Sequence, residues 1–251
     1  MKEPVFYAPG NIAPVECAKA LLKEKGFRFS QEPTLAVTHL LLPAPSFTPE
    51  GSLKCGGHPE EILSTLSADV QIIGGNLNHP AFDPYNKIDL LKDHDYVAEN
   101  AQITAHCAVR LIMQKLPVIL SQCPILVIGW GRIGKCLAKL LCDMGAFVTV
   151  AARKESDRAI LHALGYDAVD TVGLCNSLAR FRVIFNTAPV GLLTKEDLID
   201  CRKDCLKIDL ASCRGIEGND VIWARGLPGK DAPESSGTLI AKTILRKGVW
   251  T

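Results

Sequence analysis

Residues Ile125-Leu126-Val127-Ile128-Gly129-Trp130-Gly131-Arg132-Ile133-Gly134-Lys135 carry the reading on which the fold turns. Ile125 to Ile128 form an apolar β-run, and Gly129, Gly131 and Gly134 follow at G-x-G-x-x-G spacing. Behind them Ile133, Leu137, Leu140, Leu141 and Met144 recur at the period of an amphipathic helix. Gly145 closes that helix, and Phe147 to Ala152 read as a second strand. A glycine triplet alone is weak evidence; between a strand and a helix inside a βαβ unit it predicts a dinucleotide site. Gly129 permits the tight turn, Gly131 lets a pyrophosphate approach the backbone, and Gly134 lets the helix lie close to the sheet. The helix start, with Arg132 and Ile133, presents free N–H groups and a partial positive charge to phosphates.

The end of the second strand refines the ligand. An NAD site usually carries an Asp or Glu about 20 residues after the motif, to hold the ribose 2′-OH. Here the strand ends Ala151-Ala152-Arg153-Lys154, with no carboxylate before Glu155. Arg153 and Lys154 suit a 2′-phosphate, because a guanidinium forks onto phosphate oxygens. NADP is therefore preferred over NAD.

Composition narrows the class. The chain has 251 residues and a formal net charge of +1, which gives no electrostatic footprint for nucleic acid or an anionic membrane. The apolar stretch 108–120 is interrupted by Arg110, Gln114 and Lys115, so no transmembrane helix is expected. The N-terminal residues lack a signal-peptide h-region, and a cytoplasmic setting is expected. Ten cysteines are many, yet only Cys201 and Cys205 form a close pair, and no second pair or His cluster completes a zinc set. They read as free thiols used as small hydrophobes, with no metal site.

Strand and helix alternate through the rest of the chain, which implies parallel sheets. Val5-Phe6-Tyr7, Leu35 to Leu42 and Val70 to Ile73 read as strands, with helices over 14–25 and 59–66. A long helix is expected over 95–118, further strands at 183–185, 206–210 and 221–224, and a last helix over about 235–247 with Ser235 or Ser236 as N-cap. The predicted architecture is α/β: two Rossmann-like parallel-sheet domains with an inter-domain cleft and crossing helices. Residues 1–100, joined by a returning helix at 235–251, form a flavodoxin-like substrate-side domain. Residues 101–122 connect it to an NADP-binding domain at 123–234.

Five segments resemble the A subunit of dipicolinate synthase from spore-forming bacteria. They are Val-Ile-Gly-Trp-Gly-Arg-Ile-Gly at 127–134, Val-Thr-Val-Ala-Ala-Arg at 148–153, Phe-Asn-Thr-Ala-Pro at 185–189, Ile-Asp-Leu-Ala-Ser at 208–212 and Gly-Leu-Pro-Gly-Lys-Asp-Ala-Pro-Glu at 226–234. The resemblance covers about 100–245 well. In the first domain it rests on Leu-Leu-Pro-Ala-Pro-Ser at 41–46 and the glycine pair at 74–75. It implies an NADP-linked dehydration and oxidation of 4-hydroxy-tetrahydrodipicolinate, or of dihydrodipicolinate, to dipicolinate during sporulation. It also implies a partner, the flavoprotein-like B subunit, together with a homo-oligomer and the mother-cell cytoplasm. Two stretches depart: where the family reads Pro-Thr-x-Glu-Gly, this chain has Ile103-Thr104-Ala105-His106-Cys107, and where its first strand leads into a Gly-Gly-Asp-type turn, this chain has Ala8-Pro9-Gly10-Asn11.

Candidate residues follow from strand ends and chemistry. Asn186, Thr187, Pro189 and Ser212 lie just past strands, where a cofactor binds in such sheets, and join the glycine turn, Arg153 and Lys154 as its site. A dicarboxylate needs cationic, hydroxyl or amide donors, offered by Ser46, Asn76, Thr104, Arg214 and Ser236. Dehydration needs a proton donor and a base, for which His106, Asp209 and Lys230 are the candidates. Two alternatives keep the fold: a shikimate-dehydrogenase-like NADP oxidoreductase, suggested by Asn186-Thr187-Ala188-Pro189-Val190-Gly191, and a non-catalytic nucleotide-binding partner protein, suggested by the altered 103–107 stretch. The 2-hydroxy-acid dehydrogenases use a late His, and none follows His162.

Overall fold

The computed structural model describes residues 3–48 and 50–248. In chain order its elements are β1 (Val5–Tyr7), α1 (Ala13–Glu24), β2 (Arg28–Ser30), β3 (His39–Leu41), α2 (Pro59–Leu63), β4 (Gln71–Gly74), β5 (Lys87–Asp89) and α3 (His94–Lys115). There follow β6 (Pro124–Ile128), α4 (Arg132–Asp143), β7 (Phe147–Ala151), α5 (Glu155–Ala163), β8 (Asp167–Val169), β9 (Val183–Asn186), β10 (Leu206–Asp209), β11 (Val221–Trp223), α6 (Leu227–Asp231) and α7 (Pro233–Lys247). The chain divides into two compact units. One comprises the residues up to Asn100 and those from Pro228 onward; the other is Ala101–Leu227.

In the first unit five parallel strands run in the order β2-β1-β3-β4-β5, so the winding reverses between β1 and β3. Phe6 on β1 stacks on its register partners Phe29 and His39, with centroids 5.2 and 4.7 Å away. A second group, Leu40, Leu42, Val70, Ile72 and Phe82, fills the core further along the sheet. The returning helix α7 packs on α1. A side chain at Gly237 would collide with Pro14 O, the Cys17 Cβ and Ala18 N, so glycine permits the close approach.

The last turn of α7 is tied down electrostatically. Asp93, buried at the start of α3, accepts from Tyr96 N–H as a helix cap and pairs with Arg246 at 2.5 Å and Lys247 at 2.7 Å. Arg246 also pairs with Asp95, and Lys242 with Glu99 at 2.7 Å.

In the second unit six parallel strands run in the order β11-β10-β9-β6-β7-β8, reversing between β6 and β9. Leu126, Ile128 and Ile184 from the central strands pack with Leu178 and Phe181 in its core. Both units are therefore doubly wound, Rossmann-like parallel α/β folds. No helix among the described residues is long and apolar enough to cross a membrane.

Several boundaries differ from the sequence reading. The strand expected over 35–42 starts only at His39, because Pro33 opens a turn closed by Val37 N–H to Thr34 O and leaves Leu35 exposed. The helix expected over 59–66 ends at Leu63, and that expected to reach residue 118 ends at Lys115, before Pro117. The last helix starts earlier than expected, with Ala232 as N-cap and Pro233 fixing φ in the first turn, so Ser235 and Ser236 lie inside it. Residues 249–251 of the expected returning segment lie outside the described residues. Strands β2, β5 and β8 had no counterpart in the sequence reading.

Burial pushes Asp93 upward, but hydrogen bonds from Lys247, Tyr96 N–H and Arg246 outweigh it and hold the carboxyl well below the usual range. A depressed folded-state value means the contribution is complete above the unfolded carboxylate range and fades as pH falls below about 4. Asp93→Asn should lose roughly 1–3 kcal/mol at pH 7, for hydrogen bonds to charged groups, and a somewhat smaller amount at pH 3, where only part of the contribution has gone because the folded carboxyl is still ionised. Urea unfolding at the two pH values checks this.

Candidate functional site

The carboxyl edge of the second sheet brings the sequence-predicted cofactor residues and Asp209 into one row. Strand register places Ala151 beside Ile128, Ile128 beside Asn186, Asn186 beside Asp209 and Asp209 beside Trp223. Four strand spacings separate β7 from β11, roughly 19 Å at about 4.8 Å each.

At the centre of the row is the glycine turn. Gly129 has φ +102° and donates its N–H to Ala151 O at 2.9 Å. Gly134 is buried under it, and a Cβ there would overlap the Gly129 carbonyl oxygen. Gly131 is the N-cap of α4, in extended backbone that any residue adopts, with no side-chain cap and no protein atom within 4 Å of where a Cβ would stand. The first turn of this 12-residue helix thus keeps its N–H groups uncapped by side chains behind open space, as an anion site requires. Arg132 is exposed and Ile133 half-buried in that turn. Trp130 beside it lies 5.7 Å from the Lys135 ammonium and 5.7 Å from the Tyr166 ring.

At the β7 end Arg153 and Lys154 are exposed. The backbone there is held by a residue absent from the sequence reading. Arg158 donates to Ala152 O at 2.8 Å and Arg153 O at 2.9 Å, and pairs with Asp170 at 2.8 Å. Its signal was its place on the helix directly after a cationic strand end.

On the other side of the turn the structure assigns three candidates to the scaffold. Thr187 donates its hydroxyl to Ile128 O at 2.9 Å, clamping the β9 loop onto the glycine turn. Asn186 is fully buried: its amide donates to Ala188 O and Asp209 Oδ1 and accepts from Ala188 N–H. Asp209 is fully buried too. Its carboxylate accepts from Asn186 at 2.9 Å, Ala211 N–H at 3.0 Å, Gly215 N–H at 2.6 Å and Ile216 N–H at 3.1 Å. With no exposure and four donors, it organises the loop after β10, which differs from the acid–base role read from the sequence. Pro189 and Ser212 are exposed on the loops this network positions.

The remaining candidates divide between exposed and buried. Ser46 is fully buried, donates to Pro43 O at 2.8 Å and accepts from Gly75 N–H at 3.2 Å. It clasps the ends of β3 and β4 together, a structural task in place of the substrate contact expected of it. Asn76 is exposed at φ +56°, its N–H held by Asp89. Thr104 is buried on α3 and His106 exposed on it; Lys230 is exposed on α6. Ser236 is buried in α7, where its hydroxyl has no partner among the described residues. Arg214 is exposed on the loop after β10. Burial pushes the Cys205 thiol up to about 12, which keeps it protonated and core-like.

Comparison with known proteins fits this geometry. No family model matches the chain. The A subunit of dipicolinate synthase from Bacillus subtilis (strain 168) is 26% identical over 231 residues, 84% of this chain and 78% of that protein. The chain is similar to the dipicolinate synthase A subunit. The structure of its counterpart from Bacillus halodurans superposes with a TM-score of 0.84 at 20% identity, covering 98% of both chains. Transhydrogenase from Sinorhizobium meliloti superposes at 0.73 with 16% identity, over 97% of this chain and 92% of that one. The chain thus shares the α/β fold of both these structures.

The two glycines separate folding from binding. Gly134→Ala should destabilise the protein by about 3 kcal/mol or more, the upper range for overpacking against backbone. Gly131→Val should melt like the wild type and lose dinucleotide binding, because its side chain enters only the space a pyrophosphate would use. Thermal melts paired with NADPH titration of both variants check the contrast.

Proposed function

We propose that the chain is an NADP-dependent oxidoreductase that converts a cyclic dicarboxylate, 4-hydroxy-tetrahydrodipicolinate or dihydrodipicolinate, to dipicolinate. The observation that carries the reading is the carboxyl edge of the second sheet. There an uncapped helix N-terminus stands behind an open Gly131, and the adjacent strand ends in Arg153-Lys154 in place of an acid. The residues fit a nicotinamide dinucleotide: the turn and the first turn of α4 would hold its pyrophosphate, and Arg153 and Lys154 a 2′-phosphate. When bound, that group accepts the hydride. Similarity to the A subunit of dipicolinate synthase supports a dicarboxylate product and a partner subunit; our reading adds that this partner is the flavoprotein-like B subunit, that the chain self-associates and that it works in the cytoplasm of a sporulating mother cell.

Loss of water from the hydroxylated ring needs a proton at the leaving oxygen and removal of one from the neighbouring carbon. Of the three titratable candidates, His106 and Lys230 present exposed side chains, whereas Asp209 is consumed by its loop. His106 is the preferred acid–base group, because an imidazole offers both a proton donor and a proton acceptor nitrogen. Thr104, on the same helix as His106, and Asn76 are also proposed as substrate contacts.

Wild-type protein mixed with chemically generated cyclic substrate should reduce NADP, alone or with the B subunit; no reduction under either condition overturns the reading. Calorimetric titration should show tighter binding of NADP than of NAD, with Arg153→Ala removing most of the difference. Equal affinities in the wild type would refute the 2′-phosphate assignment. In the same assay His106→Ala should lower turnover by roughly 10²–10⁴-fold while NADP affinity is unchanged. Full turnover in that variant would remove His106 from the chemistry.

A further inference from the structure

The far end of the carboxyl edge carries a cluster of side chains that neither the fold nor the dinucleotide reading uses. Trp223 ends the edge strand β11, the residue 37% exposed, and its indole N–H donates to Ala211 O at 3.1 Å. The Arg214 guanidinium lies 5.0 Å from the ring centroid and that of Arg225 lies 5.9 Å from it. Among the described residues neither arginine forms an ion pair. Two un-neutralised cations on one ring repel each other, and the ring offsets part of that cost by attracting both. A guanidinium resting on an aromatic face keeps its N–H edge free and loses little freedom when it meets a planar anion.

The cluster is fixed from below. Asp209 holds Ala211 and Gly215, which bracket Arg214, and Ala211 in turn anchors the indole. Asp209 is also the register partner of Trp223. One buried carboxylate therefore sets the position of the ring and of the loop bearing one of the two cations.

We propose that Arg214 and Arg225, held on Trp223, form a clamp for a small dicarboxylate, and that this clamp selects two carboxylates over one. The charge matches, since two cations await two negative charges, and each guanidinium can take a carboxylate bidentately. The clamp also lies at the opposite end of the row from Arg153 and Lys154, so the cationic places for substrate and for dinucleotide are separate. The proposal rests on the dicarboxylate reading above and names residues that select the substrate.

Calorimetry with pyridine-2,6-dicarboxylate and pyridine-2-carboxylate tests it on the full chain, beside turnover of the cyclic substrate. The dicarboxylate should bind the wild type at least about tenfold tighter than the monocarboxylate, as one additional charged hydrogen-bonded contact implies. Arg214→Gln and Arg225→Gln should each weaken the dicarboxylate, and raise its KM, by roughly 10–100-fold, erasing that preference. NADP affinity and the thermal melt should stay as in the wild type, and Arg225→Lys should recover part of the loss. A wild type that binds no dicarboxylate, or variants that bind it as well as the wild type does, overturns the clamp. A wild type that turns over the cyclic substrate with a KM unchanged in both variants overturns the clamp and leaves the proposed function standing. Binding through the arginines without any turnover does the reverse.

Discussion

A carboxylate shut away from water must be met by hydrogen-bond donors, and the second unit is built around meeting that demand at Asp209. The side chain sits at the end of β10 with no exposure and draws in four donors, one from the end of β9 and three from the loop that follows β10. An ionised group left unpaired in such a place is prohibitively costly, so those segments have little freedom to move independently. Asn186 spreads the constraint sideways to the β9 loop, and Thr187 carries it to the glycine turn. The loops after β9 and β10 and the glycine turn are thus linked through one network centred on a buried acid.

The first unit solves a similar problem with neutral groups. Ser46 joins the ends of β3 and β4 through one hydroxyl, and a Cβ on Gly74 would meet that oxygen. Its charged network is placed elsewhere, where Asp93 gathers Tyr96 N–H, Arg246 and Lys247. Thus one unit uses its buried acid to shape a loop, and the other uses it to fasten a returning helix.

Much of this was legible in the sequence because central strands of the second unit are buried on both faces and read as continuous apolar runs: Ile125 to Ile128 and Val183 to Phe185. The missed strands were β2, β5 and β8, and each is a three-residue edge strand carrying polar residues such as Arg28, Lys87 and Asp167. An edge strand has one paired side and one solvated side, so its sequence need not be apolar. The site followed the same logic. Glycine spacing and the cationic strand end are local patterns and could be read directly. Asp209, Asn186 and Ser46 looked like ligand groups because polar residues past strand ends usually face solvent; only their burial and their partners, both tertiary facts, show that they hold the backbone instead. Trp223 and Arg225 escaped notice because their association depends on β11 lying beside β10.

The closure of the first unit by α7 has a consequence for the order of assembly. The residues of the second unit are contiguous, Ala101–Leu227, whereas the first unit needs α7 to cover α1 through Gly237 and to neutralise Asp93. During translation the amino-terminal sheet therefore leaves the ribosome with the face of α1 that α7 will cover still bare. The later dinucleotide-type unit has its whole sequence available first. The chain is thus made in an order that inverts the usual vectorial rule of amino-terminal domains maturing before those that follow, and its opening hundred residues wait on its last helix.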